Sequence, residues 1–258
     1  RRFTAGAARD HILGVKAVSG RGEIYKSGGN VIKNVTGYDL SKLLTGSWGT
    51  LSIVTELSFK VLPAPPVSIS IALEGLEINA ALGLLSSLAQ SALDLTGLAF
   101  IPGETLTSSN AEVFSSHIEN LLLIRLEGSS TSVRERINAL HQMVPESMTA
   151  IQYEDEQSRC LWKIIGDLDL LNSAGKENCI VKLSIPPARA PEIMNILSTF
   201  EECLWFVDAA GACIWLSLEN DKAPVNIRQL RAALANNGGS VVLYRAPDII
   251  KQQVGIFF

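Results

Sequence analysis

Apolar and polar residues alternate with a two-residue period over much of the first sixty positions, with glycine-rich turns between the alternating runs. That period is the signature of half-buried strands. Residues 12–18 are expected to form one strand, Ser19-Gly20-Arg21-Gly22 a turn, and 23–26 the returning limb of a hairpin. Asp39 is placed to cap a short helix with Leu40, Leu43 and Leu44 on its buried side, ending at Gly46. Alternation then resumes, with Ile53, Thr55, Leu57, Phe59 and Val61 on one face and Ser52, Glu56, Ser58 and Lys60 on the other.

Pro63-Ala64-Pro65-Pro66 cannot continue a helix or a central strand and reads as a stiff, extended linker. It divides the chain into domains 1–63 and 64–258. Beyond it the period switches repeatedly between two and 3.6. Strands are expected at 67–73, 95–101, 121–126 and 148–153, with helices at 78–92 and 132–143. A connecting helix at 154–165 leads to strands 179–185, 204–208, 212–218 and 240–244. Helices 190–200 and 225–236 accompany them, the second stopped by Asn237-Gly238-Gly239. Two successive βαββαβ patterns predict an α+β fold with two ferredoxin-like modules, repeated in pattern rather than in sequence.

Composition narrows the class. With 258 residues, 47% apolar, 19% charged and a net charge of −4, the chain is globular, and its mild acidity argues against nucleic acid as a partner. Cys160, Cys179, Cys203 and Cys213 form no CxxC pair and are expected to be buried, reduced thiols. Neither a signal peptide nor a transmembrane segment is expected. The apolar stretch from 78 to 101 is interrupted by Asn79, Ser86, Ser87, Gln90, Ser91 and Asp94, with Gly97 inside it.

The most informative stretch is Lys33-Asn34-Val35-Thr36-Gly37-Tyr38-Asp39-Leu40, with Gly46-Ser47-Trp48-Gly49-Thr50-Leu51-Ser52-Ile53-Val54-Thr55-Glu56 after it. Gly46 and Gly49 leave main chain uncovered at the helix exit, where a cofactor can approach backbone N–H and C=O groups. A capped helix leading into an amphipathic strand also accounts for these residues without any cofactor. Their wording, however, resembles the second half of the FAD-binding domain of the vanillyl-alcohol-oxidase-like, PCMH-type flavoproteins. Within that family it looks closest to the FAD-binding E subunits of bacterial glycolate oxidases. Upstream, Gly6-Ala7-Ala8-Arg9-Asp10-His11-Ile12-Leu13-Gly14-Val15-Lys16 matches the family's adenine- and pyrophosphate-side segment. The resemblance is strong over about the first 65 residues. Ser52 departs from it, because the family usually carries glycine there.

The resemblance implies FAD as cofactor, bound by Gly6, Ala7, Ala8, Arg9 and Asp10 on one side and by Gly49, Thr50, Leu51, Ser52 and Ile53 on the other. Lys33 and Asn34 would lie beside the family's glycine turn. The fold implied is the C-terminal part of a PCMH-type FAD-binding domain followed by an α+β cap of two ferredoxin-like modules. The function implied is support of glycolate oxidation to glyoxylate, with the catalytic flavoprotein subunit and the iron–sulfur subunit of glycolate oxidase as partners and a small hydroxy acid as substrate. A cytoplasmic location, peripheral on the inner face of the membrane through those partners, goes with it. Related proteins carry a glycine-rich pyrophosphate loop before this region, so the chain is expected to lack an N-terminal part and to bind FAD weakly by itself. Two other readings stay open: a stand-alone FAD-dependent oxidoreductase for another hydroxy acid or alcohol, and a non-redox scaffold.

Catalytic residues are not assignable from the sequence. His11, His117 and His141 are isolated, and HxH, HExxH, GxSxG and GxGxxG are all absent, so no metal site or Rossmann site is expected. His117 falls in a polar loop, His141 on a solvated helix face and His11 in the motif turn. The family's catalytic D subunits carry a histidine-rich HxGDGN segment that has no counterpart here. Arg125 and Lys182 interrupt apolar strands as inward anion ligands or as edge-strand charges. Trp162, Trp205 and Trp215 are flavin shields or core residues.

Overall fold

A computed structural model describes residues 2–30, 37–109, 111–145, 148–172, 178–235 and 238–257. The chain divides into two compact units, Arg1–Ala64 and Pro65–Phe258.

The first unit opens with two single-turn helices, α1 (Arg2–Ala5) and α2 (Ala8–His11), followed by β1 (Ile12–Ser19), β2 (Ile24–Gly28), α3 (Leu40–Leu44) and β3 (Ser52–Phe59). The strands form an antiparallel sheet in the order β2-β1-β3. Its small core joins Val15 and Ala17 of β1 to Leu44, with Ile12 and Tyr25 packed against them. Asp39 caps α3 as expected, its carboxylate accepting from the Lys42 amide at 3.1 Å. That hydrogen bond, ahead of the nearby Lys42 charge, holds the Asp39 carboxyl below its ordinary range.

Two expectations are corrected here. Leu43 is 59% exposed, and Ser41 and Leu44 take the buried face. Five residues present only one inward row, and the Ser41 hydroxyl is satisfied there by donating to the Ser27 carbonyl at 3.1 Å. The alternation of β3 is also broken. Glu56 pairs with Lys16 but Val54 pairs with Ala17, so Thr55 is an extra residue, its hydroxyl donating to the Lys16 carbonyl. This bulge reverses the phase, placing Ile53 opposite Val18 while Leu57 lies opposite Val15 on the other face.

The second unit is built on one eight-stranded antiparallel sheet. Its first half comprises β4 (Val67–Glu74), α4 (Ile78–Ala89), β5 (Gly97–Ile101), α5 (Gly103–Ser108), β6 (Leu121–Gly128), α6 (Ser130–Met143) and β7 (Ala150–Glu154). Helix α7 (Asp155–Asp167) leads to β8 (Cys179–Ser184), α8 (Ala190–Leu197), β9 (Leu204–Asp208), β10 (Cys213–Leu218), α9 (Ala223–Leu234), β11 (Ser240–Arg245) and α10 (Asp248–Val254). The order β11-β8-β10-β9-β5-β6-β4-β7 places each module's first strand between its third and fourth, the ferredoxin-like arrangement, twice. The α+β reading with two such modules holds. Helices α5 and α10 were not foreseen. The Gly103-Glu104-Thr105-Leu106-Thr107-Ser108 segment has weak helix propensity and is held by burial of Thr105 and Leu106.

The modules meet at β5 and β9, whose ladder contains the single pair Phe100↔Val207. Thr105 does the work of a missing strand neighbour: its hydroxyl donates to the Trp205 carbonyl at 2.8 Å and accepts from the Trp205 amide at 3.1 Å. Helices α4, α6, α8 and α9 bury their leucine and isoleucine rows on one sheet face. On the other face, α7 and the segments around Leu106, Phe114 and Leu170 cover Ala72, Ala99, Leu123, Ile180 and Phe206. Gly97 makes room for Trp162, since a Cβ there would sit 2.7 Å from the indole Cη2. The Trp162 indole donates to Ser70 at 2.9 Å, and Ser70 and Ser68 both bond Ser158, all three serines being fully buried.

Candidate cofactor site

Residues singled out in the first unit occupy two places. Gly6, Ala7, Ala8 and Arg9 line a cleft of about 700 Å³ together with Ala5, His11, Thr45, Gly46, Val61 and Leu62. Asp10 does not line it. Its carboxylate accepts from the Ala7 amide at 2.8 Å and lies so close to Gly6 that a Cβ there would come within 2.8 Å of Oδ2. His11 acts as a strap: Nε2 bonds the Ala5 carbonyl at 2.7 Å, and its carbonyl accepts from the Lys60 amide at 2.8 Å. Apolar walls with one guanidinium, open to solvent, can take a flat ring or a chain bearing an anion.

Gly49, Thr50, Leu51, Ser52 and Ile53 form the turn into β3 and its first two residues. Trp48 and Gly49 both have positive φ, 55° and 74°, and the Thr50 amide closes the turn on the Ser47 carbonyl at 3.0 Å, a type I′ geometry. Among the described residues, Gly49's chain neighbours aside, no atom lies within 4 Å of the place a Gly49 Cβ would occupy, which leaves main chain there for a ligand to approach. Ser52 has a structural use for its hydroxyl, which donates to the Leu51 carbonyl and accepts from the Tyr25 phenol, both at 2.7 Å.

The two groups are not brought into one pocket. Phe59 pairs with Ile12 and Ser52 with Ser19, so α2 and the start of β3 stand at opposite ends of β1. Seven residue steps of strand span roughly 23 Å. A ligand touching both must be long. A second cleft of about 320 Å³, not anticipated from sequence, carries Lys16, Lys26, Glu56 and Ser58 on the sheet. Lys16 and Glu56 pair at 2.7 Å, and that hydrogen bond lowers the Glu56 pKa. Its Lys26↔Lys16↔Glu56 row is set by the strand register, which the sequence alone did not supply. Lys33 and Asn34 lie outside the described residues.

In the second unit, Arg125 and Lys182 are not edge charges, since β6 and β8 each lie between two strands. Arg125 donates to Glu127 at 2.6 Å and lies 5.8 Å from the Trp162 ring centroid. Lys182 stands 5.3 Å over Trp215. Trp162 and Trp215 pack against the second sheet-face cluster and Trp205 against the first. His141 is exposed, as expected. His117 does lie in a polar loop but is buried there at 1% exposure, which sequence did not reveal, its Nδ1 donating to the Glu74 carboxylate and its Nε2 accepting from the Tyr153 hydroxyl at 2.6 Å. Burial, and after it Glu74, pushes the Tyr153 phenol above its ordinary pKa, which keeps the donating proton in place. Among the described residues no group of three or more His, Cys, Asp or Glu side chains could hold a metal ion, and no helix is long and apolar enough to cross a membrane.

No family model matches the chain. Over 134 residues it is 37% identical to glycolate oxidase subunit GlcE of Escherichia coli K12, a match covering 52% of this chain and 33% of that protein. The chain is similar in sequence to a glycolate oxidase subunit. It is also 36% identical over 101 residues to glycolate oxidase subunit GlcD of Bacillus subtilis, covering 39% of this chain and 22% of that protein. A D-lactate dehydrogenase of Anaerostipes hadrus is 46% identical over 74 residues, 28% of this chain and 16% of that one. The chain thus spans a third or less of these relatives. Among solved structures, p-cresol methylhydroxylase with substrate bound superposes with a TM-score of 0.67 at 13% identity, covering 95% of this chain and 59% of that one. Alkyldihydroxyacetonephosphate synthase gives 0.65 at 17% identity, covering 98% and 52%. The fold is of the p-cresol methylhydroxylase type.

Proposed function

We propose that the chain is part of an FAD-binding subunit of a glycolate oxidase complex, supporting oxidation of glycolate to glyoxylate. The 37% identity to GlcE carries the reading. The first unit is compatible with the cofactor. It offers uncovered backbone at Gly49, a single cation, Arg9, in an apolar-walled cleft, and a separation between the two that suits an extended dinucleotide. Gly6, Ala7, Ala8 and Arg9 would hold one end of the FAD and the main chain of Gly49, Thr50, Leu51, Ser52 and Ile53 the other. When bound, FAD supplies the acceptor for the two electrons released as the hydroxyl carbon becomes a carbonyl. Among the described residues no histidine stands beside the candidate cofactor residues except His11, whose Nε2 is committed to the Ala5 carbonyl. Proton abstraction is therefore assigned to a catalytic flavoprotein partner, with an iron–sulfur subunit carrying electrons onward at the cytoplasmic face of the membrane.

The test uses the full-length protein that carries this sequence. It should purify yellow with a flavin spectrum, and reduce a dye with glycolate only when the partner subunits are added. A colourless protein would sink the flavin reading. Turnover alone equal to that of the complex would replace the subunit reading with a stand-alone enzyme. Gly49→Val should lower flavin content while leaving the circular dichroism of the second unit unchanged.

A further inference from the structure

The second unit carries a groove of about 780 Å³ where the modules meet, unrelated to the candidate cofactor residues. Its floor is reached by half-buried Phe200, just past α8, and Trp205 on β9, backed by the buried Met194 and Leu197 of α8. Its rim carries three exposed carboxylates, Glu77, Glu104 and Glu119, and no lysine or arginine lines it. Among the described residues these three carboxylates make no ion pair.

One lip is unusually well held. Next to Glu119 in the chain stands Ile118, 72% exposed, on a loop fixed from both sides. His117 anchors one side, buried between Glu74 and Tyr153. Asn120 anchors the other: its side chain accepts from the Gly103 amide at 3.0 Å and donates to the Leu76 carbonyl at 2.8 Å, while its own carbonyl accepts from Gly75 at 2.9 Å. The loop packs so tightly on α5 that a Cβ at Gly103 would come 2.5 Å from the Ile118 carbonyl. An apolar, β-branched side chain is thus held out to solvent on a rigid mount. Such a group loses little freedom on forming a contact.

We propose that this groove docks a segment of a partner protein in which basic residues flank apolar ones. The apolar floor and Ile118 would take the hydrophobic side chains, and Glu77, Glu104 and Glu119 the cations. Carboxylates around a partly dehydrated floor favour the positive partner and repel acidic ones. The proposal is independent of flavin binding, and its test involves no flavin.

The probe is a fluorescein-labelled peptide of repeated Leu-Lys-Lys-Leu, with a Leu-Glu-Glu-Leu counterpart, titrated with the whole chain by anisotropy. The lysine peptide should bind saturably and more weakly as salt rises, and the glutamate peptide should not bind. Glu104→Lys/Glu119→Lys should weaken binding about tenfold or more, and Ile118→Ser should weaken it severalfold at every salt concentration. Glu135→Lys/Glu156→Lys, exposed acids outside the groove, is the charge-matched control and should retain affinity. All these positions are exposed, and unchanged circular dichroism verifies folding. An absence of lysine-peptide binding, equal binding of both peptides, or equal losses in the groove and control variants would each overturn the proposal.

Discussion

The Tyr25 phenol stands 2.7 Å from the Ser52 hydroxyl, joining the two outer strands of the small sheet across the fully buried Ala17 between them. Tyr25 is the direct partner of Ala17, and Ser52 is paired with Ser19 on the same face. The small side chain of Ala17 thus leaves the path over which the ring reaches. Tyr25→Phe keeps the ring and removes the donor, so it should cost about 0.5–1.5 kcal/mol. Amide hydrogen exchange is the measurement. Faster exchange across β1 and β3 is expected, and unchanged protection would show that the bridge contributes nothing.

Gly97→Ala should destabilise the second unit by about 1–3 kcal/mol, because the added carbon meets the Trp162 ring. Trp162→Phe opens space while losing the bond to Ser70. The two changes should therefore couple, the double variant being more stable than the sum of the singles predicts. Urea unfolding of the three variants checks it; strict additivity would mean the ring moves aside freely.

Ser158→Ala removes the hydroxyl that stands 3.1 Å from Ser68 and 2.8 Å from Ser70 in a fully buried cluster. A loss of about 1–3 kcal/mol is expected, since Ser68 and Ser70 both lose that partner out of reach of bulk water. A thermal midpoint unchanged from the parent would count against the cluster as the lock that seats α7.

The four thiols should differ in reactivity. Cys160 is exposed on α7, which corrects the expectation that all four are buried. Burial pushes the Cys179 thiol up to about 11 and the Cys203 thiol up to about 12. The thiolate is the reactive form, and for these two it accumulates only as pH rises toward those values. Iodoacetamide at pH 8 should therefore mark Cys160 first, with Cys179 and Cys203 remaining slow in the folded protein. Peptide mapping by mass spectrometry reads the order, and early labelling of Cys179 would contradict it.

Local pattern revealed most of the architecture. The strand over Leu204–Asp208 was placed at its observed bounds, and the double βαββαβ order emerged from alternating periods alone. What escaped was set by tertiary contact. The bulge at Thr55 leaves no mark in residue type, because threonine suits both a regular strand and the extra position. The burial of His117 within its polar loop left no local mark, because its partners Glu74 and Tyr153 lie 43 and 36 residues away along the chain. The glycine turn at Gly49 was visible because positive φ favours that residue, whereas the separation of the two candidate half-sites along β1 required the register.

The thin seam at Phe100↔Val207 has a mechanical consequence. Two sheets welded by a full ladder can change their relative twist only by breaking several backbone bonds together. Here the Thr105 hydroxyl and the tilted ring contact of Phe100 with Trp205, centroids 6.0 Å apart, share that duty with one strand pair. One apolar cluster on each sheet face runs across both modules, so shared cores, rather than the ladder, hold the two halves at their relative twist.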